Sequence, residues 1–172
     1  MVAGKYEREL RGILSAEEET LEGATKTCAD REKKRYFSID DIPFMVVRAG
    51  GSLGIDLIAV RGEISFPIEV KSSKKDVIYF SDEQRLTEQA DDMVKSCSES
   101  RVIPIYAFRL KAVRGDKWRI YTLKIDGLDK KHKLLQRKIP NIQTTTHGNY
   151  KLVWEEGLPL NEFISYINYL LS

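Results

Sequence analysis

A mixed α/β fold, with a central β-sheet flanked by helices, is the fold class that the sequence predicts. Short apolar segments separated by glycine-rich turns follow one another in the first half of the chain, which indicates neighbouring strands. A long amphipathic segment then leads to a near-continuous apolar run, which indicates a helical crossover to a buried parallel strand. The chain has 172 residues, enough to bury one core, so we expect a single domain covering residues 1–172.

The charge balance and the cysteines narrow the classes of function. The net charge of +2 is only mildly basic, so affinity for nucleic acid has to come from local clusters of lysine and arginine. Cys28 and Cys97 lack metal-ligand spacing, and two isolated thiols suit a reducing compartment. The sequence shows no secretory leader and no apolar run long enough to span a membrane. We therefore expect a cytoplasmic protein without a membrane partner.

A helix is predicted at Lys5–Leu14 because its apolar residues recur at helical spacing. These residues are Tyr6, Leu10, Ile13 and Leu14. Glu7 borders this apolar stripe, so we expect its carboxylate to reach the sheet on which the helix packs. Glu9 is expected to be an ordinary solvated charge.

The charged segment that follows, residues 15–41, is interpreted as an insertion in the domain. Gly23 weakens its helical propensity and few of its residues are apolar, so we expect one or two surface helices or a mobile arm. Because it offers little to a core, we expect that residues 17–40 can be deleted without unfolding the protein. The basic cluster at residues 31–35 is a candidate contact for a negatively charged partner.

The strands and helices of the remaining chain follow from periodicity and turn residues. Three strands are predicted at residues 44–47, 55–60 and 64–71, with a hairpin through Arg61-Gly62-Glu63. After the short apolar segment 77–80, a helix capped by Ser81 or Asp82 is predicted at residues 83–97. The later elements are a buried strand at 102–108, a turn at 114–116, a strand at 118–123, a basic segment at 130–138 and a final amphipathic helix at Leu160–Leu171.

Two acidic residues and one lysine interrupt the apolar strands. Glu69 and Lys71 are two residues apart, so their side chains point to one face of the sheet, and the hairpin brings Asp56 beside them. Two carboxylates at that distance repel each other unless a cation lies between them. Mg²⁺, which binds through one or two carboxylates and keeps positions for phosphate and water, fits this pattern. A neighbouring lysine can orient the attacking water.

The same pattern can arise by chance on the solvated face of a strand. Unpaired charge within strongly apolar strands is costly, which favours the functional interpretation. The order Asp, then Glu-x-Lys resembles that of the PD-(D/E)xK nuclease superfamily.

The chain as a whole resembles the archaeal Holliday junction resolvases, small homodimeric enzymes that cut four-way DNA junctions. The motifs that carry the resemblance are Glu7-Arg8-Glu9-Leu10, Val46-Val47-Arg48, Asp56-Leu57, Ile68-Glu69-Val70-Lys71, Lys74-Lys75, Ile103-Pro104 and Trp118-Arg119. The likeness excludes about residues 15–41 and is loose after Gly127. It also departs at Leu53 and Gly54, where relatives often carry lysines.

The resemblance implies a restriction-endonuclease-like (PD-(D/E)xK) core, Mg²⁺ as cofactor with Mn²⁺ as a substitute, and a role for each matching residue. The implied metal ligands are Glu7, Asp56, Glu69 and the Val70 carbonyl. The implied catalytic residues are Glu7, Asp56, Glu69, Lys71 and Ser52. The implied DNA contacts, mainly to backbone phosphates, are Arg48, Ser52, Lys74 and Lys75.

The implied partners are four-way junction DNA and a second copy of the chain, since two symmetric cuts call for two active sites. Candidate interface residues are Tyr79, Phe80 and the apolar face of the helix at 83–97. A sliding clamp or a branch-migration helicase is a candidate accessory partner. The alternatives are a nuclease of this fold acting on a flap or mismatch, a restriction-type enzyme reading bases in the major groove, and a non-catalytic DNA-binding module.

Overall fold

The computed structural model of the chain describes residues 4–82 and 84–172, without the side chains of Ser52 and Asp82. The helices described are α1 (Lys5–Leu14), α2 (Glu18–Ala24), α3 (Asp30–Phe37), α4 (Gln84–Ser100), α5 (Lys130–Lys138) and α6 (Leu160–Leu171). The strands described are β1 (Met45–Arg48), β2 (Leu57–Arg61), β3 (Ile64–Ser73), β4 (Val77–Tyr79), β5 (Ile105–Leu110), β6 (Trp118–Thr122), β7 (Gln143–Thr144), β8 (Tyr150–Val153) and β9 (Leu158–Pro159). None of these helices is both long and apolar enough to cross a membrane.

The central sheet contains six strands in the order β1-β2-β3-β5-β6-β9. Strands β3 and β5 run parallel, and the other neighbouring pairs run antiparallel. Helix α4 lies between the two parallel strands along the chain, as a parallel pair requires a crossover connection. The predicted mixed α/β fold, with a central sheet flanked by helices, is therefore confirmed.

The hairpin between β2 and β3 brings Asp56 beside the third strand. Gly62 adopts a left-handed conformation, with φ at 56°, which a two-residue turn requires and glycine takes without strain. Leu57 pairs with Ile68, and the Asp56 N–H donates to the Ile68 carbonyl at 2.9 Å. The strand begins at Leu57 rather than at the predicted residue 55, so Asp56 lies immediately before it.

Hydrophobic side chains cover both faces of the sheet. On the face covered by α6, the Phe66 ring of β3 lies 5.7 Å from the Phe163 ring, centroid to centroid. On the other face, Phe80 packs 5.8 Å from Tyr106 of β5. Glu69 pairs with Tyr106 in the parallel register and therefore shares its face of the sheet. The acidic site lies on the Phe80 side.

The segment at residues 15–41 belongs to the core, and the expectation that it is a dispensable decoration is wrong. Leu21, Tyr36 and Ile39 are all fully buried, and the Tyr36 hydroxyl donates to the Asp116 carboxylate at 2.5 Å. The few apolar residues of the segment are sufficient because they fall on the inward faces of short helices. Their removal would expose this part of the core.

Some of the predicted interface residues are buried in the core, and others are exposed on the surface. Phe80 is fully buried, so it cannot face a partner, and that prediction is wrong. Met93 on α4 is also buried, whereas Tyr79 is exposed. The predicted helix start at Glu83 lies outside the described residues, and the helix is described from Gln84.

A second, three-stranded sheet in the order β4-β8-β7 was not predicted. Its strands have two to four residues, too few for a periodic pattern in the sequence. It packs beside the Phe80 face, where the Tyr150 ring lies 6.0 Å from the Phe80 ring.

Candidate active site

Glu69, Lys71 and Asp56 form a compact cluster at the C-terminal half of β3. The Lys71 Nζ atom lies 2.6 Å from Glu69 Oε1, and both side chains are largely buried. Asp56 Oδ2 accepts the Val70 N–H at 2.8 Å, which ties the aspartate to the strand that carries the other two residues. The structure therefore brings together the two carboxylates and the lysine that the sequence pattern predicts.

Burial destabilises the charged forms of both carboxyl groups. Burial, with a further contribution from the neighbouring Asp56 carboxylate, raises the pKa of Glu69 to about 7, although Lys71 opposes the rise. Burial also raises the pKa of Asp56, and the charge of Glu7 adds to it while the Val70 N–H opposes it. The pair therefore carries less than its full negative charge near neutral pH unless a cation joins it.

Glu7 lies at the edge of this cluster and not within it. Its Oε2 atom is 3.2 Å from Arg48 Nη2, so the glutamate is held by an arginine at the end of β1. Gly4, just before α1, lies close to this pair: a Cβ atom there would be 3.2 Å from Arg48 Nη2. Glu7 is near enough to raise the pKa of Asp56, as noted above.

The donor set fits a hard divalent cation with two protein carboxylates. Asp56 and Glu69 supply carboxylate oxygen atoms, and burial raises the pKa of both, so a cation held between them would favour their charged forms. Among the side chains that the structure describes, which exclude that of Asp82, no three acidic, histidine or cysteine groups converge closely enough to hold a metal. The observed fit thus involves two carboxylates, and the role predicted for Glu7 as a third ligand stays a prediction.

Basic and aromatic side chains surround the cluster on the solvent side. Lys74 and Lys75 follow β3 in an exposed turn. A cleft of about 410 Å³ extends from Lys71 past Lys75 to Tyr79. The side chain of Ser52, the predicted loop serine, lies outside the described part of the structure.

Comparison with known proteins places the chain in a family. The model of the archaeal Holliday junction resolvases (Hjc) matches residues 25–169, which is most of the sequence. The chain belongs to the archaeal Holliday junction resolvase family. A solved structure of Hjc from Archaeoglobus fulgidus, a Holliday junction resolvase from an archaeal hyperthermophile, is 20% identical, with 71% of this chain and 82% of that chain covered and a TM-score of 0.48. No curated protein matches the chain.

The residues matched to the resolvase family include the carboxylate pair but not the first helix. Asp56, Glu69 and Lys71 lie within residues 25–169, whereas Glu7 lies before them. The match also begins inside the segment at 15–41, so the family likeness extends into a region from which the sequence comparison excluded it. Family membership agrees with the restriction-endonuclease-like core expected from the motifs.

One residue near the carboxylate pair was misjudged from sequence. Glu9, expected to be solvated, accepts hydrogen bonds from Arg109 Nε and Trp118 Nε1, both at 2.9 Å. It thereby fixes α1, and with it Glu7, against β5 and β6. A buried tryptophan N–H needs an acceptor, but the sequence does not say which carboxylate supplies it.

Proposed function

We propose that this chain is a crossover junction endodeoxyribonuclease that hydrolyses phosphodiester bonds in four-way DNA junctions. The observation that carries the proposal is the Asp56–Glu69 carboxylate pair with Lys71 bonded to it at 2.6 Å, inside the stretch that matches the resolvase family. A buried acidic pair with raised pKa values and a lysine partner is typical of a site that handles charge during a reaction.

Mg²⁺, with Mn²⁺ as a substitute, is the proposed cofactor, held by Asp56, Glu69 and the Val70 carbonyl. When bound, such a cation lowers the pKa of water and offsets negative charge on the phosphate. Asp56 is pre-positioned for this role by the Val70 N–H. Lys71 would orient the attacking water, and its ammonium group would offset negative charge that develops on the phosphate.

The residues around the pair have positioning and binding roles in this proposal. Arg48 contacts the DNA backbone, and its pairing with Glu7 holds both side chains at the edge of the site. Glu7 supports a further cation or an outer water molecule. Lys74 and Lys75 contact phosphates beyond the scissile bond, because both are exposed and Lys75 lines the cleft that leaves Lys71. Ser52 is the remaining candidate for DNA contact and catalysis.

Resolution of a junction requires two cuts, so we propose a homodimer with one site in each subunit. Tyr79 is the one residue of the predicted interface pair that the structure leaves exposed, whereas Phe80 belongs to the core. A cytoplasmic location is part of the same proposal.

A cleavage panel tests the proposed substrate. Labelled four-way junction, flap, mismatched duplex and linear duplex of matched sequence are incubated with the protein and Mg²⁺, and the products are separated on a denaturing gel. We expect paired, symmetric cuts in the junction and little cutting of the linear duplex. Preferential cutting of the flap or mismatch would contradict the proposed junction substrate but would still agree with phosphodiester hydrolysis. Sequence-specific cutting of linear duplex would indicate a restriction-type enzyme.

A further inference from the structure

A second positively charged cleft lies on the helical layer, away from the carboxylate pair. Its volume is about 540 Å³, and it lies between α3, the end of α5 and α6. Its lining residues are Arg31, Arg35, Lys138, Glu162, Ser165, Tyr166 and Tyr169. Three cations and one carboxylate thus meet around one opening, and no proposed catalytic residue contributes to it.

The cations of this cleft lack the ion pairs that neighbouring lysines make. Lys33 on α3 pairs with Glu22, and Lys131 on α5 pairs with Glu63. Among the ion pairs of the described residues, none involves Arg31, Arg35 or Lys138. Three like charges around one cleft repel each other, and an anion bound there would relieve that repulsion.

A buried hydrogen-bond relay fixes one wall of the cleft. Arg35 Nη1 donates to Asn161 Oδ1 at 3.2 Å, and Asn161 Nδ2 donates to Asp116 Oδ2 at 2.7 Å. Asn161 and Asp116 are almost completely buried, so they cannot turn toward solvent. The guanidinium group is therefore held in place before any ligand arrives, which reduces the entropy lost on binding.

Two tyrosines form the other wall. The Tyr166 and Tyr169 rings lie 6.2 Å apart, and Lys138 Nζ is 5.6 Å from the Tyr166 ring centroid. Tyr169 is 74% exposed, the most exposed of the large hydrophobic side chains described. Its hydroxyl group adds a neutral donor beside the cations. Arginine, lysine and tyrosine together are the side chains that commonly contact DNA phosphates.

We propose that this cleft binds the phosphodiester backbone of one duplex arm of the junction, at a distance from the cut. The proposal rests on the proposed function, which supplies a DNA substrate with several arms. Tyr169 follows Asn168, whose side chain accepts a hydrogen bond from Arg61 at the far end of β2 from Asp56. The five residues of β2 put these ends on the order of 15 Å apart, the length of about five base pairs.

The test compares two double variants of equal charge change. Arg31→Ala with Lys138→Ala removes two cleft cations from α3 and α5. Lys33→Ala with Lys131→Ala removes two paired cations from the same helices and is the control. Affinity is measured by fluorescence anisotropy in Ca²⁺ without Mg²⁺, on junctions whose capped arms run from about 4 base pairs, too short to reach the cleft, to about 20, at several salt concentrations.

We expect the cleft variant to lose about tenfold in affinity for long arms and to stay within about twofold of the parent for the shortest arms, with a salt slope smaller by about two. The control variant should lose less at every arm length. Equal losses for the two variants, or a loss independent of arm length, would overturn the proposal. A loss of affinity by the cleft variant for junctions with unpaired arms, but not for those with duplex arms, would also overturn the proposal. The tyrosines would then be stacking on bases.

The result is distinguishable from failure of the proposed function. The binding series needs no cleavage, so it reports on the cleft even if the wild-type protein cuts another DNA structure. If the wild type cuts junctions and the two variants bind alike, only the cleft proposal fails. Tyr169→Ser provides an independent variant, which should lower affinity for long arms while its melting temperature stays near that of the parent, since the side chain is exposed.

Discussion

Two buried acidic clusters, the Asp56–Glu69 pair and the network around Asp116 just before β6, differ in how fully their carboxylate oxygen atoms are hydrogen-bonded. Asp116 accepts hydrogen bonds from the Tyr36 hydroxyl, the Trp118 N–H, and both the backbone and side-chain amides of Asn161. The Asp56–Glu69 pair accepts one backbone N–H and one lysine, and the pKa of each carboxyl group is raised.

The number of hydrogen-bond donors distinguishes a carboxylate that stabilises the fold from a carboxylate pair that is a catalytic candidate. A buried carboxylate with a full set of donors stabilises the fold and connects α3, β6 and α6. A carboxylate pair with too few donors is unfavourable until a cation completes it, and such a pair is retained where chemistry needs it. This distinction would be wrong if substitutions in the two clusters had the same effects on stability and on cleavage.

The largest effect is expected on cleavage at Lys71. Lys71→Ala should lower the single-turnover rate by about 10²-fold or more, because the side chain that orients water and stabilises developing charge is lost. Urea unfolding should show a folded variant. A rate within a factor of a few of the parent would mean that the lysine only neutralises Glu69.

The next effect is expected on stability at Asp116. Asp116→Asn should reduce the free energy of unfolding by about 2–4 kcal/mol, since the amide keeps one acceptor oxygen and its NH2 group faces buried donors that the second oxygen accepts in the parent. The exposed Asp126→Asn is the control and should change stability by less than about 0.5 kcal/mol. Similar values for the two variants, measured by urea denaturation, would show that the Asp116 network contributes nothing.

A smaller effect is expected on the pH dependence of metal-free stability. The native protein keeps the Glu69 proton up to a pKa of about 7, whereas an unfolded glutamate releases it near its ordinary pKa of 4.5. The native state therefore binds more protons in this window, so stability should fall as the pH rises through it and level off above it.

Urea unfolding in EDTA at a series of pH values checks this slope. Glu69→Gln should flatten it, and the exposed Glu155→Gln should not. Added Mg²⁺ should raise the melting temperature more at pH 8 than at pH 5, because only the ionised pair binds it. An increase of stability between pH 5 and pH 7 in EDTA would contradict the raised pKa of Glu69.

The smallest effect is expected for the exposed lysines after β3. Lys74→Ala with Lys75→Ala should reduce the salt slope of junction binding by about one to two, as roughly 0.9 is lost per phosphate contact. Lys33→Ala with Lys131→Ala has the same charge change and should leave the slope nearly unaltered. An unaltered slope for the first pair would mean that these lysines face only solvent.

Local patterns predicted the elements that carry the carboxylate pair. Periodicity and turn residues within a few positions of each other determine these elements. They are the boundaries of α1, the hairpin at Gly62 and the parallel strand β5. The placement of Asp56 beside Glu69 follows from that hairpin, so it could be predicted. The start of β2 shifted by two residues because the glycine-rich loop continues through Ile55.

Contacts between distant residues could not be predicted in the same way. Tyr36 and Asp116 are 80 positions apart, and Glu9 and Trp118 are 109 apart. Nothing near Asp116 in the sequence distinguishes a buried acceptor from a polar turn residue, and Glu9 looks like any solvated helical glutamate. Residues 15–41 were misjudged for the same reason, since Tyr36 bonds to Asp116 just before β6 and its helix α3 packs against α6.

The contrast between the two clusters is tested most directly by one pair of single-turnover rates. Glu69→Gln and Asp116→Asn each neutralise one buried carboxylate. Both are assayed on a saturating four-way junction with Mg²⁺ at a temperature where each is folded. We expect Glu69→Gln to be folded and at least about 10²-fold slower than the parent, and Asp116→Asn to cut within a factor of a few of it. Near-parental cutting by Glu69→Gln would contradict the assignment of the carboxylate pair as the catalytic site.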